Sequence, residues 1–153
     1  MNRFALEIEE EKCWGCKTCE VACKQENQAP NGIRLIYVSE EGPIWIDGRW
    51  HFIFKVNRCR HCDDPPCAEV CPTGAIVKRQ DGVVVLEKSD CAGCGSCVDA
   101  CPFHAITFDE AENIAAKCNL CHHRLDKGLL PACADNVCLA HCINLVGMET
   151  SKP

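Results

Sequence analysis

The chain has 153 residues, 17 of them cysteine, and a formal net charge of −6. A chain of this size and composition cannot rest on a large apolar core, so cross-links or bound metal must supply much of its folding free energy. Its acidic balance, with no basic stripe to follow phosphates, excludes nucleic acid as a partner. No apolar run approaches the ~20 residues needed to span a bilayer, so a soluble chain without direct membrane insertion is expected.

The first residues, MNRFALEIEEEK, carry neither an apolar h-region nor a cleavage site, and there is no twin-arginine pair. A cytoplasmic location is therefore expected, where thiols stay reduced. Glu7, Glu9, Glu10 and Glu11 read as a solvated strand face. The cysteines then fall into four groups, Cys13–Cys23, Cys59–Cys71, Cys91–Cys101 and Cys118–Cys142. Within the groups all gaps but one are short, which suits wrapping a metal better than joining distant strands and argues against disulfides.

Group one reads Cys13-x2-Cys16-x2-Cys19-x3-Cys23, with Trp14 expected to pack as a shield against water. Residues 24–58 differ in kind. A turn-rich QENQAPNG leads into IRLIYV and GPIWIDGRWHFIFKV, broken at Gly42-Pro43 and Asp47-Gly48. Short strands joined by tight turns follow from that pattern, as a β insertion lying over one metal group.

Group two, Cys59-x2-Cys62-x4-Cys67-x3-Cys71-Pro72, has a lengthened loop stiffened by Pro65-Pro66. Group three, Cys91-x2-Cys94-x2-Cys97-x3-Cys101-Pro102, is the full bacterial 4Fe-4S signature. Three thiolates two residues apart curl round three corners of a cuboidal cluster, and the fourth, one helical turn on, faces a second cluster. Small residues in the loop let the backbone approach, and proline ends the helical turn. The segment GVVVLEKSDCAGCGSCVDACPFHAITF reads strand, loop, short helix, strand, with Val83, Val84, Val85 and Leu86 as a buried strand. Groups two and three thus form a pseudo-symmetric module of about 50 residues. Crossing the fourth ligands gives one cluster on Cys59, Cys62, Cys67 and Cys101 and its twin on Cys91, Cys94, Cys97 and Cys71.

By the same rule Cys13, Cys16 and Cys19 need a late cysteine from group four, and Cys23 completes a site with Cys118, Cys121 and Cys133. Group four, CNLCHHRLDKGLLPACADNVCLAHC, offers both Cys138 and Cys142 as that late ligand. His122, His123 and His141 also leave open a structural zinc at Cys118, Cys121 and Cys133, which would make three clusters plus zinc rather than four 4Fe-4S clusters. His61 and His104, in or beside cluster loops, either tune potential or face solvent.

The stretches CWGCKTCEVACKQEN, HCDDPPCAEVCPTGAI and KCNLCHHRLDKGLLPAC resemble the four-cluster, ferredoxin-like electron-transfer subunits of molybdenum and tungsten bis-pterin oxidoreductases. That resemblance covers nearly the whole chain. It implies an α+β fold of tandem bacterial-ferredoxin-like modules, nested with groups one and four around groups two and three. A single compact unit, 1–153, would comprise a central module at 53–110, an outer module at 1–30 plus 111–147, and the β insertion at 31–57. In such proteins group four continues as Cys-x3-Cys-Pro, but here, after Cys133, Val137 occupies the second cysteine's place and Leu139 that of the proline. Cys138, one residue late, is the smaller adjustment and is favoured over Cys142, the other thiol then being a spare buried one.

The resemblance further implies a role between a tungsten- or molybdenum-pterin catalytic subunit and an external partner, a further redox subunit or ferredoxin. The chain's brevity is similar to the small subunits of tungsten enzymes of the aldehyde oxidoreductase and benzoyl-CoA reductase type. Related polyferredoxins, free or serving hydrogenases and formate-oxidising complexes, share the motif set. No nucleophile–base pair, phosphate loop or nucleotide fingerprint occurs, so no catalytic site of its own is expected.

Overall fold

The computed structural model describes residues 3–147. Among the described residues twelve helices and strands follow one another: β1 (Ala5–Ile8), α1 (Thr18–Glu26), β2 (Ile36–Ile46), β3 (Arg49–Arg58), α2 (Pro66–Glu69), β4 (Ile76–Lys78), β5 (Val84–Leu86), α3 (Ser96–Ala100), β6 (Ile106–Asp109), β7 (Ile114–Lys117), α4 (His122–Leu125) and β8 (Ile143–Val146). The strands pair antiparallel as four ribbons, β1 with β8, β2 with β3, β4 with β5 and β6 with β7. None of the ribbons is large enough to be stable alone, so each depends on what it packs against.

The helices are short because each only has to carry a cysteine pair inward. In α1, Cys19 and Cys23 stand one turn apart and are both buried; in α3, Cys97 is buried and Cys101 follows directly after the last turn. Single-turn 3-10 segments at Glu10–Lys12 and Lys88–Asp90 lead into Cys13 and Cys91, whose amides bond back to Glu10 (3.0 Å) and Lys88 (3.3 Å). The entry to group three thus repeats the entry to group one.

Two apolar cores form. The larger joins Leu6, Ile36, Val38, Val56, Leu120 and Ile143 to the cysteines of groups one and four; the smaller joins Ile76, Val84, Ile106 and Ala115 to Cys67 and Cys97. The segment entering β5 separates them. Val83 and Val85 face the larger core and Val84 the smaller, which is why three consecutive valines are all buried.

The insertion is one long hairpin, β2–β3, with an irregularity between Glu41 and Ile44. It lies over the group-one loop: a Cβ at Gly15 would stand 2.3 Å from the Phe54 ring. The side chain of Glu20 accepts the Val38 amide (2.7 Å) and that of Glu10 accepts the Val56 amide (2.9 Å). The acidic run is therefore not simply a solvated face, because Glu10 fastens the hairpin to the first metal loop. The hairpin β6–β7 crosses position 110.

Leu6 is 7 % exposed and joins β1 to the larger core. Leu6→Ala is predicted to cost ~2–4 kcal/mol, whereas Val146→Ala, at an exposed site on β8, should cost less than about 0.5 kcal/mol. Anaerobic thermal unfolding of the metal-loaded protein checks both.

Candidate functional site

The cysteine loops share one backbone device. The residue two after the first cysteine of each group is left-handed: Gly15 (φ 68°), His61 (49°), Gly93 (69°) and Leu120 (53°). In three of the four, that twist aims the same residue's amide at the first sulfur: Gly15 to Cys13 (3.5 Å), His61 to Cys59 (3.4 Å) and Leu120 to Cys118 (3.4 Å). At Gly93 no side chain would fit, since a Cβ there would meet the Asn113 carbonyl oxygen at 2.3 Å.

The fold collects cysteines from separate groups. Cys59, Cys62, Cys67 and Cys101 line one small cavity of about 20 Å³, together with Pro65, Pro66, Val84 and Ile106. Around Cys97, whose thiol is pushed up by burial, stand Cys91, Cys94 and Cys71, whose charges push the same way. Burial pushes Cys23 up to about 12, with Cys118 and Cys121 adding to it, and Cys133 rises for the same reasons. Asn27 Nδ2 reaches both Cys23 Sγ (3.5 Å) and Cys121 Sγ (3.8 Å). Cys19, pushed up to about 11 by burial, lies beside Cys13 and Cys138. Cys16 accepts the Thr18 hydroxyl (3.4 Å), the main cause of its lowered pKa, and a Leu139 amide adds to this. Cys138 and Cys142 lie with their sulfurs 3.4 Å apart, and both are buried.

Such sets are costly unless a positive group holds them together. Burial, before any other cause, pushes Cys67 and Cys118 up to about 11, so the bare thiols stay protonated at neutral pH, whereas coordination to iron keeps them deprotonated. Among the described residues no three or more Cys, His, Asp or Glu side chains stand close enough to hold a single ion. The zinc alternative at Cys118, Cys121 and Cys133 also lacks its histidines. His123 bonds Glu26 (2.7 Å), His122 lies against Arg79 (3.2 Å), and His141 is exposed.

Charge in the interior points the same way. Lys117, 5 % exposed, donates to the carbonyls of Val84 (2.5 Å) and Cys118 (2.8 Å). Arg58, its pKa lowered chiefly by burial, donates to the Leu6 carbonyl (2.7 Å) and lies near Cys118, Cys59 and Cys133. Neither cation has a carboxylate partner among the described residues. Arg58 Nε and His61 Nε2 are buried donors without a protein acceptor. A buried lysine, a half-buried arginine and donors left free beside the cysteines fit an anionic cluster with acceptor sulfurs.

Sequence reasoning passed over Lys117 and Arg58; a lysine closing the apolar run Ile114-Ala115-Ala116 directly before Cys118 was the available signal. His61 resolves as buried: its Nδ1 accepts the Val84 amide (3.0 Å), and burial, with Lys117 and Arg58 nearby, lowers its pKa to about 3, so it stays neutral. His104 faces solvent. Trp14 does not shield its loop, being 65 % exposed.

Lys117→Met is predicted to leave iron content unchanged and lower the potential of the clusters nearest Cys59 and Cys118. The loss is on the order of 1–2 kcal/mol at an effective dielectric near 20, which is several tens of millivolts. Redox titration followed by electron paramagnetic resonance checks it.

Models of a 4Fe-4S dicluster domain match residues 50–148 and residues 12–76. Among characterised proteins the chain is similar to a tetrathionate reductase subunit of Salmonella typhimurium, 39 % identical over 140 residues. That match covers 88 % of this chain and 54 % of the relative, so the chain spans about half of that protein's length. It is also similar to the thiosulfate reductase electron transfer subunit of Salmonella typhi, 37 % identical over 153 residues, covering 99 % and 79 %. A third relative, from the anaerobic dimethyl sulfoxide reductase of Haemophilus influenzae, is 37 % identical over 143 residues, covering 88 % and 70 %. No helix among the described residues is long and apolar enough to cross a membrane. By these matches the chain belongs to the 4Fe-4S dicluster family as an iron–sulfur electron-transfer protein carrying four 4Fe-4S clusters.

Proposed function

We propose that this chain relays single electrons between a pterin-bound molybdenum or tungsten centre in a large catalytic subunit and an external redox partner, in the cytoplasm. The observation that carries the reading is the lie of the cysteine sets. Cys16 and Cys94 are the exposed cysteines, and the other fifteen are buried or half-buried.

The proposed ligand sets are Cys13, Cys16, Cys19 and Cys138; Cys59, Cys62, Cys67 and Cys101; Cys91, Cys94, Cys97 and Cys71; and Cys118, Cys121, Cys133 and Cys23. Each bound cluster takes up and releases one electron at a potential set by solvent access, hydrogen bonds to sulfur and charge. Neighbouring sets are tied by single elements. Helix α3 carries Cys97 and leads to Cys101, and α1 carries Cys19 and Cys23. Cys118, whose thiol is raised chiefly by burial, has Cys59 as its foremost charged neighbour. The sets therefore run in one line from Cys94 to Cys16, with Lys117 and Arg58 at the middle junction. In domain terms, a central module at 53–110 is enclosed by an outer one at 1–30 plus 111–147.

The two ends differ in chemistry. Around Cys16, Trp14 and Leu139 are largely exposed, and the hairpin over this loop exposes Trp45, Trp50 and Phe52. Exposed aromatic side chains suit a lasting subunit interface. Beside Cys94 in sequence the exposed residues Ala92, Ser96 and Asp99 are small or polar, and no exposed aromatic stands in that loop, which suits a transient, salt-sensitive partner. The catalytic subunit is therefore assigned to the Cys16 end. The chain itself holds and tunes the clusters, and bond chemistry belongs to the partner.

Metal analysis of the anaerobically purified protein tests the reading. About 16 iron per chain with equal labile sulfide and no zinc is expected. About 12 iron with one zinc would overturn it. Co-purifying tungsten or molybdenum identifies the partner's metal. Trp14→Glu should abolish co-purification of the pterin subunit while leaving iron unchanged; retained binding would move the interface elsewhere.

A further inference from the structure

The seventeenth cysteine has no place in the four ligand sets, yet it is among the most buried residues of the chain, with Cys142 at 1 % exposure. Its position is defined by a repeated local structure. After Cys71, Cys101 and Cys138 the chain makes the same turn. The amides of Gly74, His104 and His141 bond back to the three cysteine carbonyls at 3.2, 3.1 and 3.0 Å, and all three residues are left-handed, with φ 68°, 48° and 49°. Strands β4, β6 and β8 then begin at Ile76, Ile106 and Ile143. In two of these turns the residue before the strand presents its amide to the cysteine sulfur. Ala105 donates to Cys101 Sγ at 3.4 Å and Cys142 to Cys138 Sγ at 3.4 Å. Leu139 holds the place of Pro72 and Pro102 without altering the turn. Cys142 thus stands where the two central exits have Ala75 and Ala105, and Cys138 stands where they have the ligand.

The side chain in that alanine position reaches the same sulfur as its own amide, for Cys142 Sγ lies 3.4 Å from Cys138 Sγ. A sulfur bound to iron has no proton to give, so the donor in this pair is Cys142. We propose that Cys142 is a non-ligating thiol that hydrogen-bonds to the Cys138 sulfur and raises the reduction potential of the cluster held by Cys13, Cys16, Cys19 and Cys138. Hydrogen bonds to ligand sulfur disperse negative charge and favour the reduced cluster. The cluster so tuned is the one at the exposed Cys16 end, where a higher potential draws the electron outward. This inference rests on the four-cluster reading and on Cys138 as a ligand.

Cys142→Ala, which restores the residue found at the two central exits, tests it in the anaerobically purified holoprotein. The expected result is iron unchanged at about 16 per chain and one of four potentials lowered by about threefold in the one-electron equilibrium, about 28 mV at 59 mV per tenfold. Cys142→Ser keeps a donor and should recover most of the shift. Unchanged potentials in Cys142→Ala would overturn the hydrogen-bond role. Loss of about four iron from Cys142→Ala, with none lost from Cys138→Ala, would make Cys142 the ligand and overturn both assignments. A wild-type protein with about 12 iron would instead remove the four-cluster reading itself.

Discussion

Confinement of negative charge governs this structure. Cysteines from distant parts of the chain are drawn into small, dry sets, and burial opposes their ionisation at Cys19, Cys23, Cys67, Cys118 and Cys133 alike. The protein meets that demand with loop amides aimed at sulfur, with Asn27 between two cysteines of one set, and with Lys117 and Arg58 held inside without carboxylate partners among the described residues. The ribbons and short helices have little reason to exist apart from this. Their apolar surfaces close over the metal sets, and their ends deliver cysteines to them.

Spacing made the cysteine loops legible, because an x2-x2-x3 rhythm constrains backbone curl more tightly than most local patterns. The β insertion was legible too, from its β-branched and aromatic runs. Its attachment was not, since Glu10 and Glu20 reach hairpin amides across gaps in sequence that carry no periodic signal. Lys117 and Arg58 were missed for a related reason. A lysine in an apolar strand reads as an edge residue until the charge that compensates it is known, and that charge belongs to the cofactor. Trp14 was misread because an aromatic beside a cysteine is as suited to an interface as to a core, and burial alone decides between them.

Pseudo-symmetry accounts for much of the remainder. The turn after Cys71, Cys101 and Cys138 is the same, with proline following the first two and leucine the third. Proline therefore favours that turn without being required for it, since the left-handed residue two positions later and the bond back to the cysteine carbonyl supply the same constraint. This is why a departure from the Cys-Pro pattern leaves the geometry at Cys138 intact while making its role hard to read from spacing.

The pairing of β1 with β8 has a consequence for how the protein is made. Among the described residues Ala5–Ile8 pairs with Ile143–Val146 alone, so the first strand must wait for its partner until synthesis has passed residue 146. The inner metal loops, closed by local hairpins, can assemble around iron during that interval, whereas the outer ones stay open until the last strand arrives. Long-range closure of this kind is slow and leaves reactive thiols exposed meanwhile. The topology thus lets the inner loops close on local contacts, while the outer pairing is left to the longest-range contact of the fold.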